Sequence, residues 1–175
     1  MKIGIVGGGQ LARMTGLAAL SLGCEVRYFE RTAVCPAAGL APQLVVGDWA
    51  DHEALAGFAA EVDVITIENE FIDAATLRWL EECGHRVFPA AASLALIQDK
   101  LIQKQTLVSA GLPVAGFHAV STIEDVHAAA RDLGWPLVLK RRRDGYDGKG
   151  NFTLTGADRV AAGWSKLGGR GLFVE

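Results

Sequence analysis

What this 175-residue sequence lacks narrows its class before any motif is read. No apolar run approaches the roughly 20 residues that a membrane-spanning helix needs, so no helical membrane span is expected. The first residues run straight into the apolar stretch KIGIV, without the basic segment and cleavage site of a secretory signal, and a cytoplasmic location is expected. The three cysteines, Cys24, Cys35 and Cys83, are odd in number, widely spaced and without a CxxC pair. That argues for reduced thiols and against a disulfide framework or a zinc site. Positive charge is not in excess either: the formal net charge is −3, which excludes a general nucleic-acid binder. Neither internal repeats nor low-complexity tracts occur.

What is present suits a folded protein. Half the residues are hydrophobic and 21% are charged, enough apolar surface for a real core and too much for global disorder. Over the first 90 residues, short apolar runs alternate with helical patterns. Lys2 to Val6 reads as a strand, and from Gln10 to Leu22 the residues Leu11, Met14, Leu17, Ala18 and Leu22 recur at helical spacing. Glu25 to Glu30, QLVVGD, VDVITIE and HRVFP follow as strands, with helices over Asp51 to Ala60 and Asp73 to Cys83. Such alternation implies an open, doubly wound parallel sheet. The texture changes near Ala90. Helices dominate to Gly111, with Asp99 a candidate N-cap, and strands and helices then alternate to the closing run GLFVE. The expected division is a Rossmann-like domain over 1–90 and, over 91–175, the opening portion of an α+β domain cut short at LFVE. Trp79, Trp135 and Trp164 fall on or beside helical segments and are expected in the core, Trp49 in a loop. His52, His85, His118 and His127 share no metal-ligand spacing, so surface or structural roles are expected.

Three stretches carry chemistry. In GIVGGGQLARM, Gly7, Gly9 and Ala12 fit GxGxxA between a strand and a helix, and Glu30 ends the next strand where a ribose-binding acid would sit. The pattern leaves three readings open: a dinucleotide site, a merely close turn, or another ligand in the same crevice. TIENE places Glu68 and Glu70 at the C-terminal end of a strand, where open α/β sheets bind ligands. RRRDGYDGKGN lacks the GxxxxGK[ST] of a P-loop and is followed by a strand, so it reads as a glycine-rich hairpin turn. Glycines there let backbone N–H groups approach phosphate oxygens, Lys149 adds a charge, and Lys140 ends the apolar strand PLVLK, a costly place unless it faces an anion. The plain alternative is an exposed basic turn.

Taken together, GGGQLARM, TIENE, QDKLIQKQ and LVLKRRRDGYDGKGN resemble, in order and approximate spacing, the carboxyaminoimidazole ribonucleotide synthetases of purine biosynthesis, an ATP-grasp family. The resemblance runs over essentially the whole chain. Two departures are visible: Ala12 stands where the family usually has glycine, and Asn151 where it usually has glutamine. The resemblance implies a preATP-grasp domain followed by part of an ATP-grasp domain. It also implies an ATP site made by Lys100, Lys140, Gly145, Tyr146, Asp147, Gly148, Lys149, Gly150, Asn151 and Glu175, and a pocket for aminoimidazole ribonucleotide lined by Gly8, Gly9, Gln10, Leu11 and Glu68. The implied reaction uses ATP and bicarbonate, with magnesium held by residues beyond 175, in a homodimer that binds neither nucleic acid nor membrane. On this basis the chain is expected to be an N-terminal fragment, inactive alone. A formate-dependent glycinamide ribonucleotide transformylase, a non-catalytic nucleotide-binding module and an NAD-dependent oxidoreductase are the alternatives.

Overall fold

The computed structural model describes residues 1–40, 44–145 and 148–175, which divide into two compact units, 1–95 and 96–175. In the first unit β1 (Lys2–Val6), β2 (Glu25–Glu30), β3 (Leu44–Val46), β4 (Val64–Ile67) and β5 (Val87–Phe88) form a sheet in the order β3-β2-β1-β4-β5. Every pairing is parallel, as the βα alternation requires. The helices are α1 (Gln10–Ser21), α2 (His52–Ala60) and α3 (Ala74–Glu82), and α4 (Ala91–Gln98) carries the chain onward.

Strand alternation splits the core of this unit into two layers. Ile5, Val26 and Tyr28 pack with Ala12 and Ala19 of α1. Their neighbours Val6 and Phe29 pack instead with Leu55 and Phe58 of α2 and Leu77 and Leu80 of α3. Both faces of the sheet are covered, which is why its central strands are continuously apolar. Each fully buried leucine or phenylalanine adds about 1.5–3 kcal/mol of transfer free energy.

One helix face differs from its sequence pattern. The apolar residues that mark α1 are not those it buries: Leu11 and Met14 are each 58% exposed, and Ala12, Gly16 and Ala19 face the sheet. The reason is proximity. A Cβ on Gly16 would run into the Tyr28 hydroxyl, which itself donates to the Ala12 carbonyl. Only small residues admit a helix this close to the strands. Trp135 departs from expectation as well, being 36% exposed rather than in the core, whereas Trp79 and Trp164 pack partly buried against theirs.

The second unit holds α5 (Lys100–Ser109), β6 (His118–Val120), α6 (Ile123–Leu133), β7 (Leu137–Arg141), β8 (Asn151–Leu154), α7 (Val160–Leu167) and β9 (Leu172–Val174). The sheet order is β6-β9-β7-β8, antiparallel throughout. Leu137 and Leu139 of β7 pack with Val126 and Ala129 of α6 and Val160 and Leu167 of α7. The alternate residues, Val138 and Lys140, therefore lie on the face turned away from these two helices. Side chains cap the helices where the sequence supplies them: Thr122 and Asp125 form a capping box on α6, and the Asp99 carboxylate accepts from the amides of Leu101 and Ile102.

Candidate functional site

Two glycine turns carry the predicted site residues, one in each unit. The first follows β1, where the strand order reverses between β1 and β4, the place at which open α/β sheets leave a crevice. Gly7 has φ +112°, and α1 begins after Gly9 without a side-chain cap. Carboxylates of the protein itself occupy the turn. The Gly8 amide donates to Glu30 Oε2 at 2.7 Å, and the Gly9 amide donates to Glu68 Oε2 at 2.6 Å. Glu30 Oε1 takes the Arg31 amide, whereas Glu68 Oε1 accepts nothing among the described residues. The structure thus brings together Gly8, Gly9 and Glu68, and leaves Gln10 and Leu11 exposed at the start of α1. Glu30, which stands where a ribose-binding acid would sit in the dinucleotide reading, holds the turn from below and is 9% exposed.

The second turn joins β7 to β8, and the hairpin closes with the Arg141 amide donating to the Gly150 carbonyl at 2.8 Å. Gly148 and Gly150 both have positive φ, and Asn151 opens β8 opposite Lys140. Tyr146 and Asp147 lie outside the described residues. Lys100, the first residue of α5, donates from Nζ to the Gly145 carbonyl. Lys140 projects from the face of β7 turned away from α6 and α7 and pairs with Glu175, whose backbone lies opposite Val138, so the two side chains meet diagonally across the sheet.

The sequence reading missed Lys104, which binds the other oxygen of the same carboxylate, Glu175 Oε2, at 2.5 Å. Lys104 lies one helical turn beyond Lys100, on the same face of α5, and that spacing was the available signal. Burial would push the Glu175 carboxyl up, but hydrogen bonds and charge from Lys104 and Lys140 outweigh it and hold the group below its ordinary range. Two lysines on one acid leave a local surplus of positive charge, the condition under which an anion is attracted.

An ion pair between a buried acid and a part-buried arginine fixes the base of the turn. Arg142 donates from Nε to Asp99 Oδ1 at 3.0 Å and from Nη2 to Oδ2 at 2.6 Å. The Lys100 amide in turn donates to the Arg142 carbonyl at 2.8 Å. Asp99 is 5% exposed, and burial alone would raise its pKa; the Arg142 guanidinium and the amides of Ile102 and Leu101 outweigh that and lower it. One aspartate therefore caps α5 and orients Lys100 toward the turn. Among the described residues no group of three or more His, Cys, Asp or Glu is placed to hold a metal ion. No helix among the described residues is long and apolar enough to cross a membrane.

Comparison with known proteins adds to this geometry. Residues 1–98 match the ribonucleotide synthetase preATP-grasp domain and residues 105–175 the ATP-grasp domain. The N5-carboxyaminoimidazole ribonucleotide synthase of Synechococcus elongatus is 40% identical over 99% of this chain and 44% of its own length. The Staphylococcus aureus N5-carboxyaminoimidazole synthetase, solved with ADP, superposes with a TM-score of 0.92 at 33% identity, covering 99% of this chain and 46% of that one. The Aspergillus clavatus enzyme, solved with ADP and 5-aminoimidazole ribonucleotide, does so at 0.86 and 29%, with the same coverage. The chain spans about half the length of the curated relatives it matches. With both domain types present in sequence and the fold shared along 99% of its length, the chain belongs to the family of ribonucleotide synthetases that join a preATP-grasp domain to an ATP-grasp domain.

Proposed function

We propose that this chain supplies the nucleotide-binding turn and the ribonucleotide-binding crevice of an ATP-dependent carboxylase that converts 5-aminoimidazole ribonucleotide and bicarbonate into the N5-carboxyamino product of purine biosynthesis. Residues 1–90 are the preATP-grasp domain of this reading and 91–175 the first portion of the ATP-grasp domain. The observation that carries it is the cation cluster of Lys100, Lys104 and Lys140 around Glu175 and the Gly145–Gly150 turn. In the first step a bicarbonate oxygen bonds to the γ-phosphorus of ATP as the bond to ADP breaks. In the second, the amine nitrogen takes the carboxyl group of the resulting carboxyphosphate, and phosphate leaves. Lysines beside the phosphates neutralise the charge that builds up during transfer, and a turn folded over them keeps water from the short-lived mixed anhydride.

Each predicted residue has a role in this reading. Lys140 contacts the phosphates once a nucleotide competes with Glu175 for it, and Lys104 retains Glu175 in place when Lys140 turns away. Lys100 anchors the stem of the lid, and Gly148, Lys149, Gly150 and Asn151, with Tyr146 and Asp147, form the lid itself. Glu68 Oε1 accepts from a substrate donor in the crevice beside Gln10 and Leu11. Two features of the first turn speak against NAD: its Gly8 and Gly9 amides are already used, and the Glu30 and Glu68 carboxylates would repel a pyrophosphate. Magnesium supplies further charge neutralisation when bound. A homodimer working in the cytoplasm completes the reading.

Calorimetric titration with ADP tests it. Lys140→Ala is expected to weaken ADP binding by about 1.5–3 kcal/mol, the worth of a charge-assisted phosphate contact. Lys104→Ala should weaken it less, and NAD should not bind. An NAD complex without an ADP complex would overturn the proposal.

A further inference from the structure

A second basic group lies outside the lysine cluster. Where β7 ends, Arg141, Arg142 and Arg143 meet Arg170 of the turn between α7 and β9, around a groove of about 560 Å³ that also touches Asp99 and Asp144. Four guanidinium groups face two carboxylates there, and Asp99 is already committed to Arg142. The unused donors are specific. Arg142 spends Nε and Nη2 on Asp99 and keeps Nη1. Arg141 spends Nε on the Leu167 carbonyl at 3.2 Å and keeps both Nη groups. Arg143 comes no closer than 3.7 Å to Asp99, and Arg170 has no side-chain partner among the described residues.

The groove is separate from the lysine cluster because β7 alternates. Lys140 and Glu175 lie on the face away from α6 and α7, and Arg141 turns the other way, onto the end of α7. Like charges converging on one groove repel unless an anion lies between them. The donors offered by Arg141, Arg142 and Arg170 outnumber what the two oxygens of a carboxylate accept, and they suit a tetrahedral oxyanion that several guanidinium groups grip at once. The turn opposite is left-handed at Gly168, Gly169 and Gly171, so backbone without a Cβ borders the groove. The volume exceeds that of a lone phosphate and leaves room for the organic part of an ester.

We propose that this groove is a phosphate-binding site distinct from the lysine cluster, taking inorganic phosphate or the phosphate end of a phosphomonoester. An anion there ties the stem of the Gly145–Gly150 turn to the turn between α7 and β9. The test is calorimetric titration of the chain with inorganic phosphate and, separately, with ribose 5-phosphate, which carries the ester but no base. Arg170 is exposed and outside every packed contact of the core, so its variants keep the fold. Arg170→Ala is expected to weaken both ligands by roughly tenfold or more. Arg170→Lys, which keeps the charge but loses the fork, should recover only part of that, and Lys140→Ala should leave both unchanged. Equal affinities identify the phosphate alone as what is recognised, and a tighter ribose 5-phosphate identifies an ester occupant; either supports the site. No binding at millimolar ligand, binding lost in Lys140→Ala, or binding indifferent to Arg170→Ala or fully kept by Arg170→Lys would overturn it.

Discussion

The two glycine turns share a composition and differ in what surrounds them. After β1, Gly8 and Gly9 point their amides at Glu30 and Glu68, so the turn is filled by the protein's own negative charge. Between β7 and β8 the neighbours are Lys100, Lys140 and the arginines, and the acids stand back: Asp99 under the stem and Glu175 between two lysines. Glycine permits close approach of something in both cases. The charge of the nearest side chains decides whether that something is a carboxylate of the fold or a phosphate from outside. A glycine pattern read without its electrostatic surroundings cannot separate the two.

The largest way to disturb this contrast is to remove the acid beneath the second turn. Asp99→Ala strips the cap of α5 and leaves the Arg142 guanidinium part-buried and unpaired, with an expected loss of about 3–5 kcal/mol in denaturant unfolding. Next comes the first turn's tight fit. At Gly7, φ is +112° and a Cβ would lie 2.7 Å from Glu68 Cβ, so Gly7→Ala should cost about 2–4 kcal/mol. Gly148 has φ +74° and, among the described residues, no atom within 4 Å of an added Cβ, and Gly148→Ala should cost only about 1–2 kcal/mol. Equal losses at the two glycines would erase the structural difference between the turns.

Smaller effects sharpen the electrostatic side. Glu30→Gln keeps an acceptor for the Gly8 amide and removes a charge; a stability loss of about 0.5–1.5 kcal/mol with unchanged ADP affinity is expected. A gain in NAD binding would be the telling exception. Acid should act on the second turn through Asp99 and Glu175, whose folded-state pKa values both lie below their unfolded ones. Their stabilisation is complete above the unfolded values of about 4 and disappears as pH falls through the lowered folded values. Unfolding midpoints that fall between pH 5 and strongly acidic solution in the parent, and fall less in Asp99→Asn, would show it.

Much of the fold was legible because it is written in local periodicity. The parallel sheet follows from alternation of β-branched runs with helical spacing, and the β7–β8 hairpin from two apolar runs around glycines. The face of α1 was not legible. Leu11, Met14 and Leu17 advertise a buried stripe, yet the depth left between α1 and Tyr28 admits only Ala12, Gly16 and Ala19. Lys104 escaped notice for a related reason. Its importance comes from Glu175, which reaches the lysines only because β9 inserts between β6 and β7. Along the sequence the arginines carry nothing that tells them apart, and the structure divides them: Arg142 is locked to a buried acid, and Arg141 and Arg170 keep donors to spare.

By itself, then, the sequence determined the two kinds of sheet, the positions of the turns and the stock of lysines, acids and glycines placed on them, since each depends on neighbours a few residues apart. Only the tertiary structure decided which amides Glu30 and Glu68 would occupy, which lysines would share Glu175, and which guanidinium groups would stay unpaired. Those outcomes are set by register between strands distant along the chain, and a charge takes its character from whichever partner that register brings within about 3 Å.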